Sequence, residues 1–229
     1  MKNLIICFFS VVIIIVAVLF IHLMVFQNRA EQISQGTAIK QYNHNKPALL
    51  VIDIQEATTG KYGVNNCYTE SSDEFLDKIN SIIKLASIKD IPVIYIKNET
   101  DNFLINILNN SLAKGGAGAK FDSRLDVISN HIISKERNDA FSNPKLDSLL
   151  IAKEINKLYV TGLDAAYCVN NTIAAASNRG YSISIIEEAL LSESDSLKNV
   201  MIANFKLQNA DIISLESYTN ENPTASVNH

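Results

Sequence analysis

The chain has 229 residues, and what it lacks narrows its function first. It has no basic excess: 20 Lys and Arg stand against 24 Asp and Glu, a net charge of −4. A nucleic-acid binder needs a basic surface to displace counterions from phosphate, so that class, and nucleic acid as a partner, is set aside. Its three cysteines, Cys7, Cys67 and Cys168, show no framework spacing, which excludes a disulfide scaffold. There is no C-x-x-C and no paired histidine, so the pattern of a zinc site is missing. Internal repeats are absent as well. With 47% hydrophobic and 19% charged residues, the chain has too much to bury for a disordered protein.

What is present begins with a long apolar run. Leu4 to Phe26 is interrupted by only two polar residues, Ser10 and His22. As a helix it extends about 34 Å, enough for a hydrocarbon core of about 30 Å. It has no polar stripe of the kind a core helix carries. A signal peptide has a shorter apolar core and a small-residue cleavage site; Gln27-Asn28-Arg29-Ala30 offers no clean one. Residues 1–26 are therefore expected to be an uncleaved single-pass anchor, with a cleaved signal as the alternative. Lys2 precedes the span and Arg29, Lys40 and Lys46 follow it, so the positive-inside rule does not fix its orientation. The short leading segment favours export of the rest, giving an extracytoplasmic domain.

Residues 27–46 are polar and aperiodic and read as a linker; residues 219–229 read as a polar tail. Between them, residues 47–218 fit one domain with a full core. Short apolar runs at 48–54, 92–96, 132–133, 157–161, 182–186 and 211–215 alternate with helical patterns around Phe75–Leu85, Leu146–Ile155, Val169–Asn178 and Ser196–Leu207. That alternation predicts βαβ units and a mostly parallel six-stranded sheet inside a three-layer α/β/α sandwich. Ligands in such sheets bind beyond the carboxyl ends of the strands. Asp53 ends the first strand, Lys135 follows the third, and Cys168 follows the fourth and opens a helix.

Each has an ordinary reading. Asp53 is a capping acid, Lys135 a solvated lysine, Cys168 a small buried hydrophobe. Their shared edge favours chemistry instead. A carboxylate in an apolar strand is costly unless paired. A thiol at a helix amino terminus meets the positive end of the dipole and free N–H groups, which predicts a depressed pKa and a place to hold an oxyanion. Cys67 lies in a Tyr- and Asn-rich stretch read as a loop. Lys114-Gly115-Gly116-Ala117-Gly118 reads as a mobile loop near the cleft, without the ending of a phosphate loop.

Three blocks in order then carry a resemblance: Leu50-Val51-Ile52-Asp53-Ile54-Gln55; Lys135 with Asp139-Ala140-Phe141 and Leu146; and Val160-Thr161-Gly162 through Cys168-Val169, with Thr172, Ala175 and Arg179-Gly180-Tyr181. From Pro47 to about Tyr218 the chain resembles the isochorismatase-like cysteine hydrolases, which include nicotinamidases. The resemblance implies an Asp53–Lys135–Cys168 triad that hydrolyses a small amide through a thioester, with Cys168 as nucleophile, Asp53 as proton carrier and Lys135 as electrostatic partner of both. It also implies an oxyanion hole from the backbone N–H groups of Asp164 and Cys168, and a cis peptide at Leu163–Asp164. Homo-oligomers are expected by the same analogy. Gln55 is expected to help close the site, and Phe141 and Tyr167 to flank a planar substrate or, equally, to be packing aromatics.

The sequence departs from nicotinamidases in one respect. Histidines occur only at 22, 44, 131 and 229, so the metal-binding histidines of that group have no counterpart after the first strand. No metal or other cofactor is expected, and nicotinamide itself is a poor candidate substrate. Vinyl-ether hydrolysis on the same fold is the alternative, weakened by the presence of Cys168. A non-catalytic binding module is the other, weakened by retention of all three triad residues.

Overall fold

A computed structural model of the chain describes residues 2–40, 42 and 44–221. The elements run α1 (Lys2–Glu31), β1 (Pro47–Ile52), α2 (Asn66–Thr69), α3 (Ser72–Ile88), β2 (Val93–Asn98), α4 (Phe103–Leu108), β3 (Ile132–Lys135), α5 (Pro144–Ala152), β4 (Lys157–Gly162), α6 (Asn170–Asn178), β5 (Ser182–Leu190), α7 (Asp195–Leu207), β6 (Asp211–Ile213) and α8 (Leu215–Asn220). All six strands form one sheet in the order β3-β2-β1-β4-β5-β6, and every neighbouring pair is parallel. The expected three-layer architecture is the one observed.

Strand β1 shows why. Leu49, Leu50, Val51 and Ile52 are all essentially buried. Leu50 and Ile52 point into a core made with α5, α6 and α7, while Leu49 and Val51 point into a second core made with α3 and α8. A strand covered on both faces needs an unbroken apolar run, not an alternating one. On the second face, Tyr218 of α8 packs edge-on to Tyr159 of β4, ring centroids 4.9 Å apart.

The strand order reverses direction between β1 and β4. The chain grows outward from β1 through β2 to β3, then returns to β4 and grows the other way. This switch point is where a crevice opens at the carboxyl edge of a parallel sheet. Asp53 directly follows β1, and Cys168 follows β4.

The segment read as a linker packs on the domain. Helix α1 continues to Glu31, and the chain after it is pinned to the domain. Ser34 N donates to Asp139 Oδ2 (2.7 Å), and Ile39 N donates to the Arg179 carbonyl (2.8 Å). Arg179 is 2% exposed and binds Asp147 through two donors (2.7 and 2.9 Å). It also donates to the Ser34 carbonyl and hydroxyl (3.2 Å each). Gly36 packs so closely on the guanidinium that a Cβ there would collide with it. An extended strap with a single apolar anchor, Ile39, has no apolar period, so its sequence resembles that of a linker. At the other end, α8 reaches Asn220 and Glu221 Oε1 accepts from Lys157 Nζ (2.6 Å), so the expected tail begins later; residues 222–229 lie outside the described residues.

Three further differences are local. Cys67 sits in the short helix α2, with Asn65 Oδ1 accepting from its N–H (3.0 Å). Strand β5 runs on to Leu190 past the charged pair Glu187-Glu188. The glycine-rich stretch is held by backbone bonds: Ala57 N donates to the Gly118 carbonyl (2.9 Å), and Lys114 N to that of Thr100 (3.0 Å).

Candidate active site

Asp53 takes its place from backbone geometry. Its φ is +55°, a left-handed conformation that an L-residue adopts only when its surroundings demand it. The surroundings are visible: Asp53 N donates to the Ile96 carbonyl (2.9 Å), and the Thr58 hydroxyl donates to the Asp53 carbonyl (2.8 Å). Gly162, at the end of β4 with φ +121°, lies against Ile52, and a Cβ there would strike the Ile52 carbonyl. Only glycine lets β4 approach β1 this closely just before the chain turns at Asp53.

Lys135 ends β3, two strands away, and its side chain crosses the end of β2. Its Nζ donates to Asp53 Oδ2 (2.7 Å) and to Cys168 Sγ (3.2 Å). The residues are 3%, 4% and 9% exposed for Lys135, Asp53 and Cys168 respectively. One ammonium thus joins a carboxylate and a thiol at the floor of the crevice. The other carboxylate oxygen, Asp53 Oδ1, is buried with no hydrogen-bond partner among the described residues.

Cys168 sits in a single wide helical turn, Ala165–Val169, that leads into α6. Val169 N donates to the Asp164 carbonyl (3.0 Å), one residue further back than in an α-helix. Such wide turns recur at functional sites. Asp164 caps the turn: its Oδ1 accepts from Ala166 N (2.6 Å) and the Ser192 hydroxyl (3.2 Å), its Oδ2 from the Tyr68 hydroxyl (3.0 Å). The Leu163–Asp164 peptide is cis, as the resemblance implied. The extension of β5 holds the turn from outside, since Ala165 N donates to the Leu191 carbonyl (3.0 Å).

The electrostatics overturn one expectation. Burial and the neighbouring Asp53 carboxylate push the Cys168 thiol up to about 12, and Lys135 only partly offsets them. The helix terminus loses to a simpler effect. Asp53 and Lys135 already form a neutral pair, so a thiolate would add an unmatched anion in a buried site. Burial opposes the Lys135 charge in turn, but Asp53 and Cys168 outweigh it and hold the ammonium up at about 12. Beside the Lys135 ammonium the thiol is thus held in its neutral form.

A cavity of about 240 Å³ opens above this group. Asp53, Cys168, Gln55, Asn98, Asn138 and Tyr167 are among the residues lining it. Gln55 is wholly buried and both ends of its amide are committed to the backbone. Its Oε1 accepts from Asn98 N (2.7 Å), and its Nε2 donates to the carbonyls of Asn98 and Ala119 (2.9 Å each). It ties the loop after β1 to the end of β2. Tyr167 is 47% exposed at the rim. Phe141 stands elsewhere: it is 2% exposed and lies under the Arg179 guanidinium, 4.5 Å from its ring centroid, beside Tyr181. It packs the core and does not line the cavity. Asn138 was not singled out in the sequence, yet its Oδ1 lies 3.8 Å from Cys168 Sγ, within reach of the thiol as an acceptor. A short polar residue in a loop carries no periodic signal; its spacing of three from Lys135 is the only clue.

The residues do not fit a metal. Around Asp53 the cavity offers amides, the Thr58, Tyr68 and Tyr167 hydroxyls, the Asp164 carboxylate and a thiol, and no group of three His, Cys, Asp or Glu placed to hold a metal ion is found among the described residues.

Residues 47–217 match the model of the isochorismatase domain family. The chain belongs to this family. Among relatives, it is similar to the N-carbamoylsarcosine amidase of an Arthrobacter species, 26% identical over 159 residues, which is 64% of this chain and 60% of that one. It is also similar to the ureidoacrylate amidohydrolase of Acinetobacter baylyi, 28% identical over 153 residues, 55% of this chain and 62% of that one. The match thus spans about three fifths of either relative. Solved isochorismatase-family structures share the fold. N-carbamoylsarcosine amidase from Thermoplasma acidophilum superposes with a TM-score of 0.62 at 23% identity, covering 77% of this chain and 98% of that one. For nicotinamidase from Bacillus subtilis the values are 0.63, 23%, 73% and 98%.

Proposed function

We propose that this isochorismatase-family protein is a cysteine amidohydrolase that cleaves the C–N bond of an amide, and that α1 anchors it in a membrane. The observation that carries the first part is the Lys135 ammonium bonded at once to Asp53 and Cys168 on the floor of the cavity. Both curated relatives are amidohydrolases by name, which supports the reaction class.

The resting protonation sets the order of events. Cys168 starts as a neutral thiol, so it needs a base at the moment of attack. Asp53 Oδ1 is free to act, because Lys135 occupies only Oδ2. As Sγ bonds to the substrate carbonyl carbon, the thiol proton passes to Asp53. The carbonyl oxygen gathers negative charge, which the backbone N–H groups of Asp164 and Cys168 would stabilise. Collapse breaks the C–N bond, the nitrogen takes the proton from Asp53, and an amine or ammonia leaves. A water then gives a proton to Asp53 while its oxygen attacks the thioester carbon. The C–S bond breaks, sulfur regains the proton, and a carboxylic acid departs. Lys135 stays charged throughout and offsets whichever neighbour is anionic.

The anchor reading rests on α1 itself. Ile5–Glu31 is long and apolar enough to span a bilayer, and most of its apolar residues are exposed. We further propose that the domain lies on the extracytoplasmic side, as the short segment ahead of the apolar run favours.

Two measurements test these readings. A panel of primary amides, with intact-mass detection of an acyl adduct, should give turnover and an adduct that Cys168→Ala abolishes; turnover that survives in Cys168→Ala refutes covalent catalysis. The mass of protein extracted from membranes should include α1, and a membrane-impermeant thiol reagent should reach the exposed Cys67 in intact cells. A mass lacking the first turns of α1 would make it a cleaved signal.

A further inference from the structure

The anchor helix meets the catalytic domain before it ends. In its second half His22, Phe26 and Ala30, four residues apart, are the positions that lose part of their exposure, so one face is seated on the domain. One of its contacts is with a residue of the catalytic cavity, Asn138. The Asn138 N–H donates to the Ala30 carbonyl (2.9 Å), and Asn138 Oδ1 lies 3.8 Å from Cys168 Sγ. Asn171 Nδ2 donates to the Glu31 carbonyl (3.2 Å). His22 Nε2 lies 3.3 Å from Oδ1 of Asn102, the residue that caps α4.

Between helix and domain lies a second cavity of about 470 Å³. Leu23, Phe26 and Ala30 supply its apolar wall, and Asn138 and Tyr167 close the opposite side. Those last two residues also line the catalytic cavity, so the two spaces share a wall at the thiol. Helix α4, tied to His22 through Asn102, leaves Phe103, Ile107 and Leu108 exposed at 74%, 64% and 62%. An exposed apolar cluster of this kind marks a surface that meets something other than water. From Ile5 to His22 the helix rises about 27 Å, close to a hydrocarbon thickness, which sets Leu23 and Phe26 at the lipid boundary beside α4.

We infer that the substrate is an amphiphilic amide resident in the bilayer, its apolar chain lying against Leu23 and Phe26 while its amide reaches Cys168 past Asn138 and Tyr167. This inference rests on the amidase and anchor readings above. A small water-soluble amide would make no use of a wall built from the anchor. A tailed amide in the interface meets, in order, an apolar wall, an amide side chain and the triad.

The test uses the full chain in phosphatidylcholine vesicles with a series of primary amides from acetamide to hexadecanamide. The kcat/KM is expected to rise with chain length, by up to about fourfold per methylene buried. Partition into the bilayer alone would also raise rates, so the decisive quantity is the effect of Phe26→Asp, which puts a charge in the apolar wall of the cavity. It should cut the ratio of long-chain to short-chain kcat/KM at least about tenfold, whereas pure partition leaves that ratio as in the wild type. If acetamide is hydrolysed and the series is flat, or the variant ratio is unchanged, the inference is overturned and the amidase reading stands. If no amide turns over and no adduct forms on Cys168, the amidase reading falls and takes the inference with it.

Discussion

At the scale of single residues, the thiol of Cys168 is the sharpest case. A helix amino terminus would lower its pKa, but burial and Asp53 dominate and raise it to about 12. Limiting iodoacetamide at pH 7 should therefore modify the exposed Cys67 before Cys168, and the rate at Cys168 should climb about tenfold per pH unit above neutrality. Peptide mapping of the adducts checks both; rapid labelling of Cys168 at pH 7 would mean a thiolate at rest. Loss of the base should be severe. Asp53→Asn and Lys135→Ala are each expected to lower kcat/KM at least about 10²-fold, and the two losses should not add, because the groups act as one unit. Gly162 is the third residue to test. Gly162→Ala adds a Cβ against the Ile52 carbonyl at φ +121°, so it should cost about 2 kcal/mol or more in urea unfolding, and it should lower activity by displacing Asp53.

At the scale of elements, the strap from Glu31 to Lys40 matters more than its composition suggests. It supplies Ser34 to Asp139 and Arg179, Gly36 to the face of the guanidinium, and Ile39 to the core. A chain that starts at Gln27 keeps these contacts and one that starts at Gln41 loses them all. Hydrogen bonds to charged groups are worth about 1.5–3 kcal/mol each, so the shorter chain should melt at least about 5 °C lower. Equal melting points would show the strap to be a passive tether. The elements legible in the sequence were those with long apolar runs or clear helical spacing: the six strands and the helices α3, α5, α6 and α7. Those missed were short. Helices α2 and α4 span 4 and 6 residues, too few for a period, although each is announced by a capping asparagine, Asn65 and Asn102. The end of β5 was hidden by Glu187 and Glu188, which break the apolar run; Glu188 is spent accepting from Leu215 N at the start of α8 (2.9 Å).

At the scale of the whole molecule, the site lies at the reversal point of the sheet and its charges are linked to global stability. Cys168 and Lys135 both hold their protons more tightly in the folded chain than at their ordinary values of 9.0 and 10.5. Groups raised on folding stabilise the protein below their unfolded pKa and cease to do so above their folded one. Stability should therefore be lost as pH rises from about 9 towards 12, seen as a falling urea midpoint, and the fall should be shallower in Cys168→Ala. Dialysis against a strong chelator should leave both melting point and turnover unchanged; a loss restored by zinc or manganese would point to a carboxylate-based site. Helix α1 is seated against Asn138 and Asn102, next to the candidate site.

Sequence alone determined the layer architecture, because burial on one or both faces dictates the spacing of apolar residues, and spacing is a property of the chain. It also placed Asp53, Lys135 and Cys168 on one edge, since each directly follows a strand or opens the helix after one. Tertiary structure decided what no spacing encodes. Phe141 went to the core because Arg179 and Tyr181 claim its ring. Gln55 went to the backbone of β2 because the open edge of Asn98 needed both a donor and an acceptor. Asn138 came to the thiol, and the strap to the domain, through contacts between residues far apart in the chain. The protonation of Cys168 followed from the same cause: a pKa in a buried site is set by which charges converge there, and convergence exists only once the chain has folded.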